Sequence, residues 1–223
     1  MINELLFLDT VAITMLYNRY INNKPLNDYQ LKIGYQDYIL IKKPLIVDMT
    51  ITPHILVCGL SGQGKTKCIE NALKGKNVVL LNSFHDDFKS LGAVRRVTGN
   101  FNILKFLNHL LENLKYRNQD SKVLYLAFDE LLVLCIDKAI TKAITDLLAI
   151  GRHYNIFLIG ISQIGTKEAV KFKDLFNTRI CFKQVEESSY RSVLGYSPEN
   201  KKLTKQQFLL YSDKISEGYT YTV

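Results

Sequence analysis

From Ile55 onward the chain alternates two patterns. Short, largely apolar runs (Ile55–Cys58, Val78–Leu81, Val123–Phe128, Ile156–Ile161 and Arg179–Phe182) are bounded by polar or turn residues. Between several of them lie helix-period segments, over Lys65–Leu73, about Phe101–Tyr116 and Ala139–Ile150. Strands that are apolar on both faces and joined through helices predict a mainly parallel sheet covered on both sides, an α/β fold. A further short strand is predicted near Ala93–Val97. Phe208–Tyr211 and Tyr219–Val223 are expected to finish the sheet as an antiparallel C-terminal edge hairpin.

The first fifty residues follow another pattern. Residues 2–20 read as an amphipathic helix, and residues 21–36, with Asn22, Asn23, Pro25, Asn27 and Asp28, read as a polar connection. Short strands are expected at Tyr38–Ile41 and Leu45–Val47, broken by Lys42-Lys43-Pro44. The expected organisation is therefore a helix and connection over 1–36 and a single domain over 37–223. The apolar start is interrupted by Glu4, Asp9 and Arg19. It falls short of the roughly 20 uninterrupted apolar residues that span a bilayer, and lacks the basic start and cleavage site of a secretory signal.

Composition narrows the function classes. A chain of 223 residues with 47% hydrophobic and 22% charged residues suits one soluble globular domain. Cys58, Cys68, Cys135 and Cys181 are scattered, without metal or redox spacing, and read as reduced thiols of a cytoplasmic protein. The net charge of +8 is uneven: residues 59–121 hold ten basic against five acidic side chains, and residues 164–223 ten against seven. That surplus suits a polyanionic partner without requiring one.

The chemistry is carried by Gly59-Leu60-Ser61-Gly62-Gln63-Gly64-Lys65-Thr66, which satisfies G-x-x-x-x-G-K-[ST] in full. Glycines let the backbone curl so that N–H groups converge on phosphate oxygens, and the helix that follows adds its dipole. Lys65 is expected to reach the β- and γ-phosphates and Thr66 to offer its hydroxyl to Mg²⁺. Gly59 to Thr66, with Cys68 on the following helix, form the expected ATP-binding set. A second apolar run ends in Asp129-Glu130. Asp129 is the expected metal carboxylate, and Glu130 the base that orients and polarises the attacking water. A third ends in Ser162-Gln163, where Gln163 is either a γ-phosphate sensor or an ordinary loop residue.

Several ordered segments resemble the FtsK branch of the FtsK/HerA superfamily of DNA-translocating ATPases. They are Pro44–Met49, Pro53–Gly59, Arg152–Gln163, Asn177–Phe182 and Glu187–Gly195. The resemblance implies a RecA-like motor acting on double-stranded DNA as a homo-oligomeric ring, usually a hexamer, with ATP and Mg²⁺ at subunit boundaries. It makes Gln163 the sensor and Arg179 the first candidate for an arginine supplied to a neighbour's nucleotide, with Arg191 and Arg152 behind it. Lys167, Lys171 and Lys173 are candidates for DNA phosphate contact. The chain departs from the family at Asn82–Asp87, where Asp-Pro-Lys is usual, and at Ile164-Gly165, where Arg-Pro is expected. As a bare motor it resembles the packaging ATPases of membrane-containing viruses, and could equally serve DNA transfer by a plasmid or mobile element. A non-translocating ATPase that regulates partner assembly is a third reading. The N-terminal helix is the expected contact for a capsid or membrane-bound partner.

Overall fold

A computed structural model describes residues 2–38, 41–82, 87–163, 165, 173–198 and 202–221. Its centre is a sheet in the order β2-β1-β10-β9-β8-β3-β7-β6-β4-β5. The parallel part consists of β3 (Ile55–Cys58), β4 (Val78–Leu81), β5 (Arg95–Val97), β6 (Leu124–Phe128), β7 (Ile156–Ser162) and β8 (Thr178–Phe182). Every residue of β3, β4, β6 and β7 is buried, as their unbroken apolar character requires.

Alternate side chains of these strands enter two cores. Leu56, Cys58, Leu126 and Leu158 meet Ile103 and Leu107 of α3 (Asn100–Glu112), Ile140, Ile144 and Leu147 of α5 (Lys138–Ile150), and Val193 of α6 (Glu187–Leu194). Ile55, Val57, Leu80 and Ile159 meet Cys68, Ile69, Ala72 and Leu73 of α2 (Lys65–Leu73) on the other face. The carboxyl ends of the parallel strands, at Cys58, Leu81, Phe128, Ser162 and Phe182, therefore open onto one edge. In open α/β sheets that is the edge where ligands bind.

The antiparallel flank is wider than the sequence pattern suggests. The C-terminal hairpin, β9 (Gln207–Tyr211) and β10 (Ile215–Tyr219), does not end the sheet, because β10 pairs with β1 (Gln30–Tyr38) and β1 with β2 (Ile41–Asp48). Strand β1 begins inside the stretch expected to be a polar connection. Its buried Leu31 and Ile33 alternate with polar Gln30 and Lys32, a strand period masked by the Asn and Asp residues that precede it. Strand β2 runs through Lys42-Lys43-Pro44 unbroken. It is the outermost strand, so Pro44 can lie with its missing N–H side towards solvent. Helix α1 extends to Asn23 and packs on β2. Among the described residues no helix is long and apolar enough to cross a membrane.

His54 secures the approach to the site. It sits just before β3 with a φ of 63°, and its Nδ1 accepts the Leu158 N–H of β7 at 3.0 Å. Burial holds its pKa down at about 4, so the ring stays a neutral acceptor at physiological pH.

Candidate nucleotide-binding site

Between the end of β3 and the start of α2, residues 59–64 form an open loop. Gly59, Gly62 and Gly64 have φ values of 152°, 72° and 104°. At Gly59 a Cβ would also come within 2.6 Å of the Phe182 Cβ, so packing as well as conformation requires glycine there. The loop is laced into the sheet on both sides: the Gly59 N–H donates to the Ser162 carbonyl at 3.3 Å and the Leu60 N–H to that of Lys183 at 3.0 Å. Such fixing matters because a phosphate cradle works only if its amides need no rearrangement to receive charge.

Lys65 opens α2 and folds back over the loop. Its Nζ donates to the carbonyls of Gly59 at 2.7 Å and Leu60 at 2.9 Å, and the residue is buried. Burial pulls its pKa down, while Glu130, Cys58 and Asp129 draw it back up. Across the cavity, Asp129 follows β6 and is 5% exposed. Its pKa is pushed up to about 6 by burial first, then by the neighbouring charges of Asp87 and Glu130. Glu130 has a φ of 49°, uncommon for a side chain with a Cβ, and heads the short helix α4 (Leu131–Leu134). The Gln163 amide, at the end of β7, donates a short hydrogen bond to Glu130 Oε1.

These groups line one cavity of about 540 Å³, together with Ser61, Gly62, Gly64 and Thr66. A larger cavity, about 660 Å³, lies at the opposite ends of the strands around Val78 and Leu124, away from loop and acids. The first cavity is where the chemistry converges. Among the described residues no three His, Cys, Asp or Glu side chains are grouped to hold a metal by themselves, but Thr66 and Asp129 face the same space and could share a hard divalent cation with phosphate oxygens. Two protein ligands are what Mg²⁺ takes when phosphate oxygens and water complete its shell.

Several predicted residues lie elsewhere. Gly59, Leu60 and Gln63 form the frame of the loop rather than the cavity wall; Gln63 accepts the Gln206 N–H through its carbonyl at 3.1 Å. Cys68 is fully buried, with its thiol against the Ile33 carbonyl at 3.2 Å, on the face of α2 that meets the core. Arg179 is held by its own chain, donating to the Phe176 carbonyl at 3.2 Å, the Val193 carbonyl at 3.1 Å and Asp174 at 3.0 Å. Its register partner is Leu56, short of the loop edge. Arg152 and Arg191 are exposed. Lys173 donates to the Ser192 carbonyl, and Lys167 and Lys171 lie outside the described residues.

Four charged residues went unanticipated at the cavity: Lys67, Glu70, Asp87 and Lys89. Glu70 binds Lys67 at 3.0 Å and accepts the Ser90 N–H at 2.5 Å. Burial opposes its charge, but the Ser90 amide and hydroxyl and Lys67 outweigh that and lower its pKa. It thereby ties α2 to the segment that presents Asp87 and Lys89. A carboxylate between Ile69 and Ala72, on the buried side of α2, was the available signal.

The ionised Asp129 has a measurable cost. Between about pH 4, where the unfolded carboxyl loses its proton, and pH 6, the native state holds more protons, so stability falls as pH rises. Asp129→Asn should therefore stabilise the nucleotide-free protein by on the order of 2 kcal/mol above pH 6 and leave it unchanged near pH 3.5. It should also abolish Mg²⁺-dependent hydrolysis. Thermal unfolding at both pH values checks the sign; a destabilised variant at pH 7.5 would contradict it.

No family model matches the chain, and no curated protein does. Solved structures do. The pCW3 conjugation coupling protein TcpA, in its monomer form with ATPγS, aligns over 92% of this chain and 68% of its own, with a TM-score of 0.75 and 17% identity. EssC (ATPases 2 and 3) from Geobacillus thermodenitrificans aligns over 88% of this chain, with a TM-score of 0.69 and 14% identity; the chain spans 47% of it. The genome packaging NTPase B204 of Sulfolobus turreted icosahedral virus 2, in complex with AMPPCP, aligns over 76% of this chain and 98% of its own, with a TM-score of 0.57 and 18% identity. Identities this low speak for the fold alone. The chain shares the fold of these neighbours, a P-loop NTPase fold.

Proposed function

We propose that the chain is an ATP-driven motor that moves double-stranded DNA, acting in viral genome packaging. The observation that carries the hydrolytic part is the convergence of Lys65, Thr66, Asp129, Glu130 and Gln163 on one cavity at the carboxyl edge of the sheet. Loop amides and the start of α2 receive the phosphates, and Lys65 exchanges two carbonyl partners for phosphate oxygens. Mg²⁺, held by Thr66 and Asp129, would neutralise charge on the β- and γ-oxygens. Glu130 takes a proton from the attacking water once Gln163 turns from its carboxylate to the γ-phosphate. The contact between these two side chains is thus the point where nucleotide state meets catalysis.

The DNA cargo rests on the ordered motif resemblance and on the basic surplus in residues 59–121 and 164–223. Subunits would assemble as a ring in the cytoplasm with nucleotide at their boundaries. Since Arg179 is engaged within its own chain, the exposed Arg152 and Arg191 become the better candidates for the arginine given to a neighbour. DNA transfer of the coupling-protein kind is a second reading, favoured by the higher TM-score to TcpA. Both readings predict that duplex DNA raises ATP turnover several-fold, with a steep loss of the effect between low and high salt. Turnover indifferent to duplex DNA would leave an ATPase without this cargo.

A further inference from the structure

The larger cavity has no part in the nucleotide chemistry. Its floor is Val78 and Val79 at the start of β4 and Leu124 at the start of β6, and Phe106 and Leu110 of α3 form a wall. Here the sheet loses its cover. Val78, Val79 and Leu124 are 5%, 6% and 9% exposed, whereas Leu80, Leu81 and Leu126 further along the same strands are 0%. At about 660 Å³ the cleft has the size of a small-molecule site, roughly 300–1,000 Å³.

The polar groups of the cleft are neutral or positive. Lys76, Arg95 and Arg117 line it, and among the described residues no Asp or Glu does. Lys76 is engaged elsewhere, since its Nζ donates to the Asn27 carbonyl at 2.6 Å and Asp28 lies near it. Arg117 is not neutralised in this way. It is half-buried just beyond the turn at Leu114–Tyr116, where its Nε donates to the Tyr154 carbonyl at 3.0 Å and its Nη2 to the Lys122 carbonyl at 2.6 Å. Both partners are uncharged. Burial draws its pKa down, with no acid to offset the effect. The exposed Arg95 lays its guanidinium 4.9 Å from the centre of the Phe106 ring, a flat cationic wall beside the apolar floor.

A partly buried cation held only by carbonyls calls for an anion, because charge removed from water is costly unless paired. The planar fork of arginine matches the oxygens of a carboxylate, phosphate or sulfonate. The floor selects for more than a bare ion, since it favours a hydrocarbon or aromatic body attached to that group. We propose that the cleft binds a small organic anion, its charged group on Arg117 and Arg95 and its apolar body against Val79, Leu124 and Phe106. Duplex DNA fits less well, being too broad to reach the floor of the cleft. The cleft lies at the opposite ends of the strands from Lys65 and Asp129, so it can hold its ligand whether or not the chain hydrolyses ATP.

The test uses 8-anilinonaphthalene-1-sulfonate, a sulfonate on an aromatic body, titrated into the full chain by fluorescence and calorimetry. One saturable site per chain is expected, indifferent to saturating ATP and Mg²⁺ and unchanged in Lys65→Ala. Arg117→Met should weaken binding by about tenfold or more, the loss of a charge-assisted contact. Leu110→Trp, which fills the cleft without altering charge, should do the same. Lys105→Ser removes the same charge from an exposed position of α3 outside the cleft and should have little effect. Equal weakening by Arg117→Met and Lys105→Ser would show only general attraction to a basic protein and overturn the proposal. So would displacement of the probe by ATP, which puts it in the nucleotide cavity, or by duplex DNA, which makes the arginines a polyanion contact. Should Arg117→Met fail to fold, methyl NMR of the unsubstituted chain decides. Probe-induced shifts at Val79, Leu110 and Leu124 support the site, and shifts confined to other methyls contradict it.

Discussion

Lys65→Ala is expected to reduce ATP turnover by about 10³-fold or more, the largest single loss available at this site. The side chain supplies the positive charge inside the loop, and it is buried, so the interaction is weakly screened. In the structure its Nζ rests on the Gly59 and Leu60 carbonyls, within the loop proposed to receive the phosphates. The loop itself should survive the change. Its anchors to Ser162 and Lys183 are backbone bonds that do not involve Lys65, and removing a buried cation relieves desolvation. Phosphate release is the primary measurement, with thermal unfolding as the folding control. Hydrolysis retained in a folded variant would remove the loop from its assigned role.

Glu130→Gln should separate binding from chemistry. The replacement keeps the size of the side chain and an oxygen able to accept from Gln163, but cannot take a proton. Nucleotide affinity should stay near that of the unsubstituted chain, while single-turnover hydrolysis falls by about 10²–10⁴-fold. The predicted product is a nucleotide-loaded assembly that persists. If single-turnover rates stay normal, another group activates the water, and Asp87, which reaches the same cavity, becomes the first to examine.

The two predictions draw on parts of the molecule that differ in how they could be read. The loop, the acidic pair and Gln163 were legible because each ends an apolar strand, and parallel strands deliver their ends to one edge. Local chain order therefore predicted a spatial cluster. Strand β1 was hidden because the Asn and Asp residues before it mask its alternation, although it pairs along its length with the neighbouring β2. Cys68 adjoins the loop in sequence, yet it shares the helical face of Ile69 and Ala72, which points into the core. Arg179 shows another limit. A strand-end arginine reads as available, and only folding reveals Asp174, Phe176 and Val193 around it. Asp87 and Glu70 join the site through a long-range contact between α2 and the segment at Ser90, which no motif spacing encodes.

The central claim joins nucleotide hydrolysis to movement along DNA, and translocation with a displacement reporter tests it most directly. The purified chain would be placed on duplex DNA bearing a displaceable third strand, with ATP or a non-hydrolysable analogue. The account predicts displacement with ATP, none with the analogue, and none for Lys65→Ala or Glu130→Gln. Displacement that proceeds with the analogue, or ATP hydrolysis on duplex DNA without any displacement, would contradict it.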